Sequence, residues 1–352
     1  MDFKQKVENY LKESFGPAAE LAEMKPVGKG THGTAYRLKV TTPEEEKRLI
    51  FKTLSPSGFG HDHFSDRARV LLLANANYNL MPKHVQALDV VGDSPYRFVS
   101  LKEAWEFYIF MEEAQGRSYF SDLNDILERG SLTPSDQDRA RMLALFLAQI
   151  HAKKYAEEDA GILYRRRIRD LIGHGECIMG IIDAYGRTEF TTERELVAYA
   201  ERCLPWWGKI RDKCGRLCEV HGDYHPGNIW FDGDDFTLLD RARGTWGEAA
   251  DDLSCLAVNY IHYAVRNTGT FSGPFAELFR QFVGEYLEET GDEEILEVIQ
   301  PFFAFRILVL ANPRFYPRET DENRRKLINF GYSILETERF EVEKIPEYFI
   351  GR

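Results

Sequence analysis

The stretch that most constrains this chain is Val220-His221-Gly222-Asp223-Tyr224-His225-Pro226-Gly227-Asn228, continued by Ile229-Trp230-Phe231. An acidic turn follows, Asp232-Gly233-Asp234-Asp235, and a short apolar run then ends at Asp240. An apolar residue leads into His-Gly-Asp, an asparagine stands at the fifth position after the aspartate, and a strand-like segment delivers the second aspartate. This is the order of parts that phosphoryl transfer from a nucleotide needs. One carboxylate positions the acceptor hydroxyl, and an amide oxygen with another carboxylate holds magnesium.

The upstream half carries a second set of signals. Residues 24–27 read as a first strand, and Gly28-Lys29-Gly30-Thr31-His32-Gly33 follows, a G-x-G-x-x-G. A dinucleotide fingerprint would open a helix at this point. Residues 34–40 instead alternate and are β-prone, so the loop joins two strands of a hairpin. Glycine there lets backbone approach phosphate oxygens with no Cβ in the way; an ordinary glycine-rich turn has the same composition. Residues 48–54 make a third strand, and alternation places Lys52 on one face with Ile50 and Leu54. A lysine among apolar neighbours is costly unless a charge meets it. Nucleotide phosphates would supply that charge; a snorkelling surface lysine is the alternative.

The spacing H-x-D-x-x-x-x-N matches the kinase catalytic-loop signature. The residues of 221–228 most closely resemble the aminoglycoside phosphotransferase and choline kinase branch of the protein-kinase-like fold, which writes this loop H-G-D-x-H-x-x-N. The resemblance spans roughly residues 24–260. It implies an α+β, two-lobed fold, with a β-rich N-terminal nucleotide-binding lobe over 1–114 and a mainly helical lobe over 115–352 that carries the catalytic loop and substrate site. It implies ATP and magnesium as cofactors, with nucleotide in the cleft. Asp223 would act on the acceptor, and Asn228 and Asp240 would hold the metal. Gly28, Gly30, Thr31 and Gly33 would cover the phosphates and Lys52 would orient them. The backbone of Glu112 to Ala114 would read the adenine edge, with Met111 behind it. Asp252, in Gly247-Glu248-Ala249-Ala250-Asp251-Asp252-Leu253, matches the buried aspartate that braces the catalytic loop. His221 and His225 would hold the loop's shape.

The chain departs from the kinase pattern at the partner of the lysine, because no glutamate occurs between Lys52 and Glu103. A helix over 66–77, capped by Ser65, would place Asp66 on one stripe with Val70 and Leu73, facing Lys52. Asp62 is a second candidate. After Asp240 the chain reads Arg241-Ala242-Arg243, similar to the wording of some bacterial lipopolysaccharide-core kinases. No Ala-Pro-Glu segment follows, and the short span from Asp240 to Asp252 leaves little room for an activation loop, which disfavours a protein substrate. The reading is therefore a small-molecule kinase whose hydroxyl acceptor is an aminoglycoside, amino alcohol or sugar-like compound. The alternative is a catalytically weak nucleotide-binding pseudokinase serving as sensor or scaffold.

Elsewhere the signals are weaker. A net charge of −12 argues against a nucleic-acid partner and suits either a cationic substrate or a plain acidic surface. The run Arg165-Arg166-Arg167-Ile168-Arg169 is either a solvated helix face or a surface for an anionic group. Five cysteines without a regular framework suit reduced thiols, and Cys214, Cys218 and His221 lack a fourth nearby zinc ligand. Residues 2–15 form an amphipathic helix pattern with Phe3, Val7, Tyr10 and Leu11 on one stripe, without an apolar signal region, and no apolar run is long enough to cross a bilayer. A cytoplasmic protein without membrane insertion is expected. Thr133-Pro134 opens a helix over 135–154 in which His151 is structural. Trp206-Trp207 is core or a substrate platform, and residues 254–349 are helical in pattern with aromatic runs such as 302–305.

Overall fold

The computed structural model describes residues 2–30, 33–55, 61, 64–99 and 106–350. Thr31, Asp62 and Trp105 lie outside them. The chain divides into two compact units, one of Met1–Gly116 with Asp235–Arg243, the other of Arg117–Asp234 with Gly244–Arg352. The segment ending in Asp240 thus leaves the helical half of the sequence and packs with the first unit.

The first unit begins with helix α1 (Phe3–Phe15), whose N-cap Asp2 accepts the Gln5 N–H at 2.8 Å. Val7 and Leu11 are buried and Phe3 and Tyr10 pack beside them, the stripe its periodicity predicts. Strands β1 (Glu20–Gly30), β2 (Gly33–Thr41), β3 (Glu46–Leu54), β4 (Ala87–Asp93), β5 (Phe98–Val99) and β6 (Glu106–Glu112) form one sheet in the order β1-β2-β3-β6-β4-β5, every neighbouring pair antiparallel. Gly30 pairs with Gly33, so the glycine-rich stretch is the tip of a hairpin and not the start of a helix. One sheet face buries Leu38, Val40, Leu49, Phe51 and Phe110 under α1. The other carries Leu54, Ile109 and Met111, and helix α2 (Phe64–Tyr78) covers it with Ala68, Leu71, Ala74 and Tyr78. Both faces are therefore closed, and Lys52, sharing Ile50 and Leu54's face, lies on the α2 side.

In the second unit helices dominate: α3 (Tyr119–Arg129), α4 (Pro134–His151), α5 (Ala160–Gly173), α6 (Ile178–Asp183), α7 (Glu193–Ile210), α8 (Ala249–Thr268), α9 (Gly273–Thr290), α10 (Gln300–Ala311), α11 (Asp321–Leu335) and α12 (Ile345–Tyr348). Thr133 caps α4 with Pro134 in its first turn, as the sequence predicts, and Asp136 completes a reciprocal capping box that the sequence reading did not include. Helix α10 is apolar nearly all round, and α8 and α10 are both almost wholly buried, as central helices are. A sheet-built unit and a mainly helical unit make the expected α+β, two-lobed architecture. Among the described residues no helix is long and apolar enough to cross a membrane. The cysteines form no disulfide.

Candidate active site

In the first unit the structure brings Lys52 and Asp240 together. Lys52 Nζ donates to Asp240 Oδ2 at 3.1 Å, and the Tyr78 hydroxyl donates to Oδ1 at 3.1 Å. Burial, then the Asp240 charge, push the Tyr78 phenol far up, so it remains a donor. Asp240 has φ of 64°, a left-handed conformation that aspartate tolerates better than most residues. Next to it Arg241 is fully buried; its N–H donates to His84 Nε2 at 3.3 Å and its guanidinium to the Asn77 carbonyl at 3.4 Å. Leu239 and Ala242 pack on the cluster of Met111, Ile109 and Leu54. The short segment is thus locked onto α2 and the sheet, and it carries the aspartate to the lysine.

This corrects the expected partner of Lys52. Asp66 does not pair with it. The inward stripe of α2 is Ala68, Leu71, Ala74 and Tyr78, with Val70 packed at its edge, about one residue out of phase with the expected Asp66, Val70 and Leu73 stripe. Tyr78 and the small alanines fill the space over the sheet better, so the helix is rotated and Asp66 lies half-buried on its flank. The helix also starts at Phe64, which puts Ser65 inside the first turn rather than at the cap.

Gly28 and Gly30 lie in β1 and Gly33 opens β2. A Cβ on Gly33 would come within 1.9 Å of the Thr53 carbonyl oxygen, so this position requires glycine. Glu112 ends β6 and its N–H donates to the Gln86 carbonyl at 3.1 Å. Met111 and Ala114 pack into the cluster beneath α2.

In the second unit the loop 221–228 is held from behind. Asp252, fully buried at the start of α8, accepts the N–H groups of His221 and Gly222, both at 2.6 Å. His151 Nε2 contacts the same carboxylate at 3.2 Å while its Nδ1 meets the Tyr286 hydroxyl at 2.9 Å. Burial raises the Asp252 carboxyl, but the His151 contact and the loop N–H outweigh it and hold it below the usual range. Gly222 turns the chain at φ of 86°. His221 Nδ1 accepts the Asp223 N–H at 3.2 Å and His225 Nδ1 accepts the Gly227 N–H at 3.0 Å. Both histidines therefore spend a ring nitrogen on the loop's shape. Asn228 Nδ2 donates to the Asp223 carbonyl at 3.0 Å, which turns its Oδ1 away from that carbonyl.

One residue at the site was missed by sequence reasoning. Arg306, in the middle of apolar α10, donates from Nη1 to Asp223 Oδ1, and from Nη2 to the Gly222 carbonyl at 3.1 Å and to Asp251 Oδ1 at 2.7 Å. Its signal was a lone arginine directly after the aromatic run 302–305, inside a stretch otherwise free of charge. The basic run on α5 is not one surface: Arg165 pairs with Asp212 and Arg166 with Asp170 at the exposed side, while Arg167 turns inward to Asp251 Oδ2 at 3.1 Å. Trp206 is core, donating to the Leu335 carbonyl at 3.0 Å, and Trp207 is partly exposed beneath Arg211. Cys218 is buried with its thiol on the Gly247 carbonyl at 3.8 Å.

Comparison with known proteins meets this geometry at the level of family and fold. No curated protein sequence matches the chain. Among solved structures, the amicoumacin kinase hAmiN, in complex with AMP-PNP, Ca2+ and Ami, is similar with a TM-score of 0.61 at 14% identity, over 98% of this chain and 99% of that one. A thermostable mutant of aminoglycoside phosphotransferase APH(4)-Ia, with ADP and hygromycin B, gives 0.52 at 11% identity over 94% and 98%. Spectinomycin phosphotransferase APH(9)-Ia, in complex with ADP and spectinomycin, gives 0.50 at 12% over 98% of both chains. The family model described as phosphotransferase enzyme family matches residues 23–292, which take in the hairpin, Lys52, the loop 221–228, Asp240 and Asp252. The chain belongs to the phosphotransferase enzyme family.

Proposed function

We propose that the chain transfers the γ-phosphoryl group of ATP, as its magnesium complex, to a hydroxyl of an aminoglycoside, amino alcohol or sugar-like compound. The observation that carries this reading is the loop 221–228, braced by Asp252, with Asp223 held by Arg306 and Asn228 held by the Asp223 backbone. AMP-PNP and ADP in the similar kinases support an adenine nucleotide, and the Ca2+ of one supports a divalent cation. Asp240 in the first unit and Asn228 in the second each carry an oxygen donor of the kind such a cation takes. Asp240 is an anion already drawn to one cation, Lys52, and Asn228 offers an amide oxygen whose Nδ2 side is fixed. When bound, the metal neutralises charge on the β- and γ-phosphates.

In this reading the hairpin of Gly28, Gly30 and Gly33 covers the phosphates and Lys52 orients them. Lys52 then exchanges Asp240 for phosphate oxygens, so Asp240 takes the counter-charge role first assigned to Asp66. Glu112 to Ala114 present backbone to the adenine. Asp223 orients the acceptor hydroxyl toward the γ-phosphorus. The new O–P bond forms as the bond to the β-phosphate oxygen breaks. A free carboxylate is a weak base for an alcohol, so the proton passes to Asp223 late, after most of the bond has formed. The alternative of a non-catalytic nucleotide-binding scaffold has no observation in its favour.

The test is Asp223→Asn. Single-turnover transfer from ATP with magnesium, across a panel of sugars, amino alcohols and aminoglycosides, is expected to fall to a small residual rate in the variant. Nucleotide affinity by calorimetry is expected to stay nearly unchanged. Full turnover by Asp223→Asn would refute the assignment.

A further inference from the structure

Four charges lie in line behind the loop: Arg167, Asp251, Arg306 and Asp223. Arg167 meets Asp251 Oδ2 at 3.1 Å and Arg306 meets Asp251 Oδ1 at 2.7 Å, so one carboxylate clamps two guanidinium groups. Arg306 then spans Asp251, the Gly222 carbonyl and Asp223 Oδ1, while His225 Nε2 stands 3.9 Å from Asp223 Oδ2. The Cys255 thiol also contacts Asp223 Oδ1, at 3.8 Å, and burial first of all keeps that thiol protonated. Arg306 is 6% exposed, and its Nε–H is buried without an acceptor among the described residues.

Such an array is poorly explained by stability. Burying ion pairs costs desolvation that their attraction only partly repays, and apolar replacements are often as stable. A buried donor without an acceptor adds a further cost. The surrounding helix offers an apolar solution at every neighbouring position, since Phe302, Phe303, Phe305, Ile307 and Leu308 are all buried. An arginine retained here must do something that leucine would not. Its planar fork does one thing of this kind: it fixes a carboxylate oxygen and the preceding carbonyl at once.

We propose that Arg306, seated by Asp251 and Arg167, is a positioning residue for Asp223. It holds Oδ1 and the Gly222 carbonyl so that the orientation of the carboxylate toward an acceptor hydroxyl is set before substrate arrives. The proposal rests on the phosphotransfer reading above. Its adjacent aspartates divide the work: Asp252 holds the loop backbone directly, and Asp251 holds the side chain that holds Asp223.

The experiment uses the full chain with ATP, magnesium and the same acceptor panel. Arg306→Lys keeps the charge but loses the fork. It is expected to lower kcat roughly 10- to 100-fold, as small misplacements of a reacting group do. The magnesium–ATP thermal shift and KM for ATP are expected to hold. In an Asp223→Asn background, Arg306→Lys is expected to cost little further residual rate, because the effect passes through Asp223. Arg306→Ala removes the guanidinium from both Asp223 and Asp251 and perturbs the fold as well as the site, so the lysine variant carries the test. Unchanged kcat in Arg306→Lys, or an equal fold-loss in both backgrounds, overturns the proposal. A wild-type chain that phosphorylates none of the panel overturns the phosphotransfer reading along with it, whereas an active wild type with an equally active Arg306→Lys overturns the positioning role alone.

Discussion

Asp240 concentrates the chemistry of the first unit in a single side chain. It neutralises Lys52, receives the Tyr78 hydroxyl and adopts a left-handed backbone. A lysine on a sheet face covered by a helix needs such a counter-charge whenever nucleotide is absent. Asp240→Ala is therefore expected to abolish the magnesium-dependent part of the ATP thermal shift. An unchanged magnesium-dependent shift would place the metal elsewhere. Gly33 is the other residue on which the unit depends. In Gly33→Ala the new Cβ meets the Thr53 carbonyl at 1.9 Å, and backbone must move because no flexible side chain is in the way. Denaturant unfolding is expected to show a loss of roughly 1–3 kcal/mol, the usual range for overpacking.

At the scale of elements, the loop 221–228 and the first turn of α8 act as one piece. Two N–H groups converge on Asp252, which is closed off from solvent and backed by His151 on α4. The pKa shift sets the sign of its pH dependence. The folded-state value is depressed, so the unfolded chain takes up this proton first as the medium is acidified. The stabilisation is complete above the unfolded value, about 4, and is lost as pH falls through the lower folded value. Asp252→Asn places an amide donor against one of two N–H donors. It is expected to cost roughly 1–3 kcal/mol near neutral pH and to flatten the acid limb of the stability profile. Urea midpoints measured from pH 3 to 7 would check both. An acid limb as steep as that of the wild type would assign the acid sensitivity to other carboxylates.

For the whole molecule, the chain does not divide at one point. The first unit takes back Asp235–Arg243 from the middle of the helical half, and with it the fully buried Arg241 and the packing of Leu239 and Ala242. A fragment ending at Gly116 keeps α2 but lacks the packing of Leu239 and Ala242 and the Asp240 counter-charge of Lys52. Residues 2–116 alone are expected to give weak amide protection over α2 and β6. Appending residues 235–243 through a flexible linker is expected to restore it. Equal protection in both fragments would mean that the sheet and α2 suffice.

Much of this protein is legible along the chain because the relevant information is local. The loop 221–228, the hairpin glycines and the alternation that puts Lys52 beside Ile50 and Leu54 each lie within a few residues, where periodicity and turn chemistry act directly. Asp252 was legible for the same reason, through its own short segment. What the tertiary structure alone decided are the partners. Lys52 finds its carboxylate 188 residues further on, and Asp223 finds its guanidinium 83 residues further on. Helical spacing groups residues into stripes, but α2 carries more than one apolar stripe. Which of them turns inward depends on how Tyr78, Leu71 and the alanines fill the space over the sheet. Charges buried in that packing pair with whatever the fold delivers beside them, and chain distance does not enter the energy of the contact.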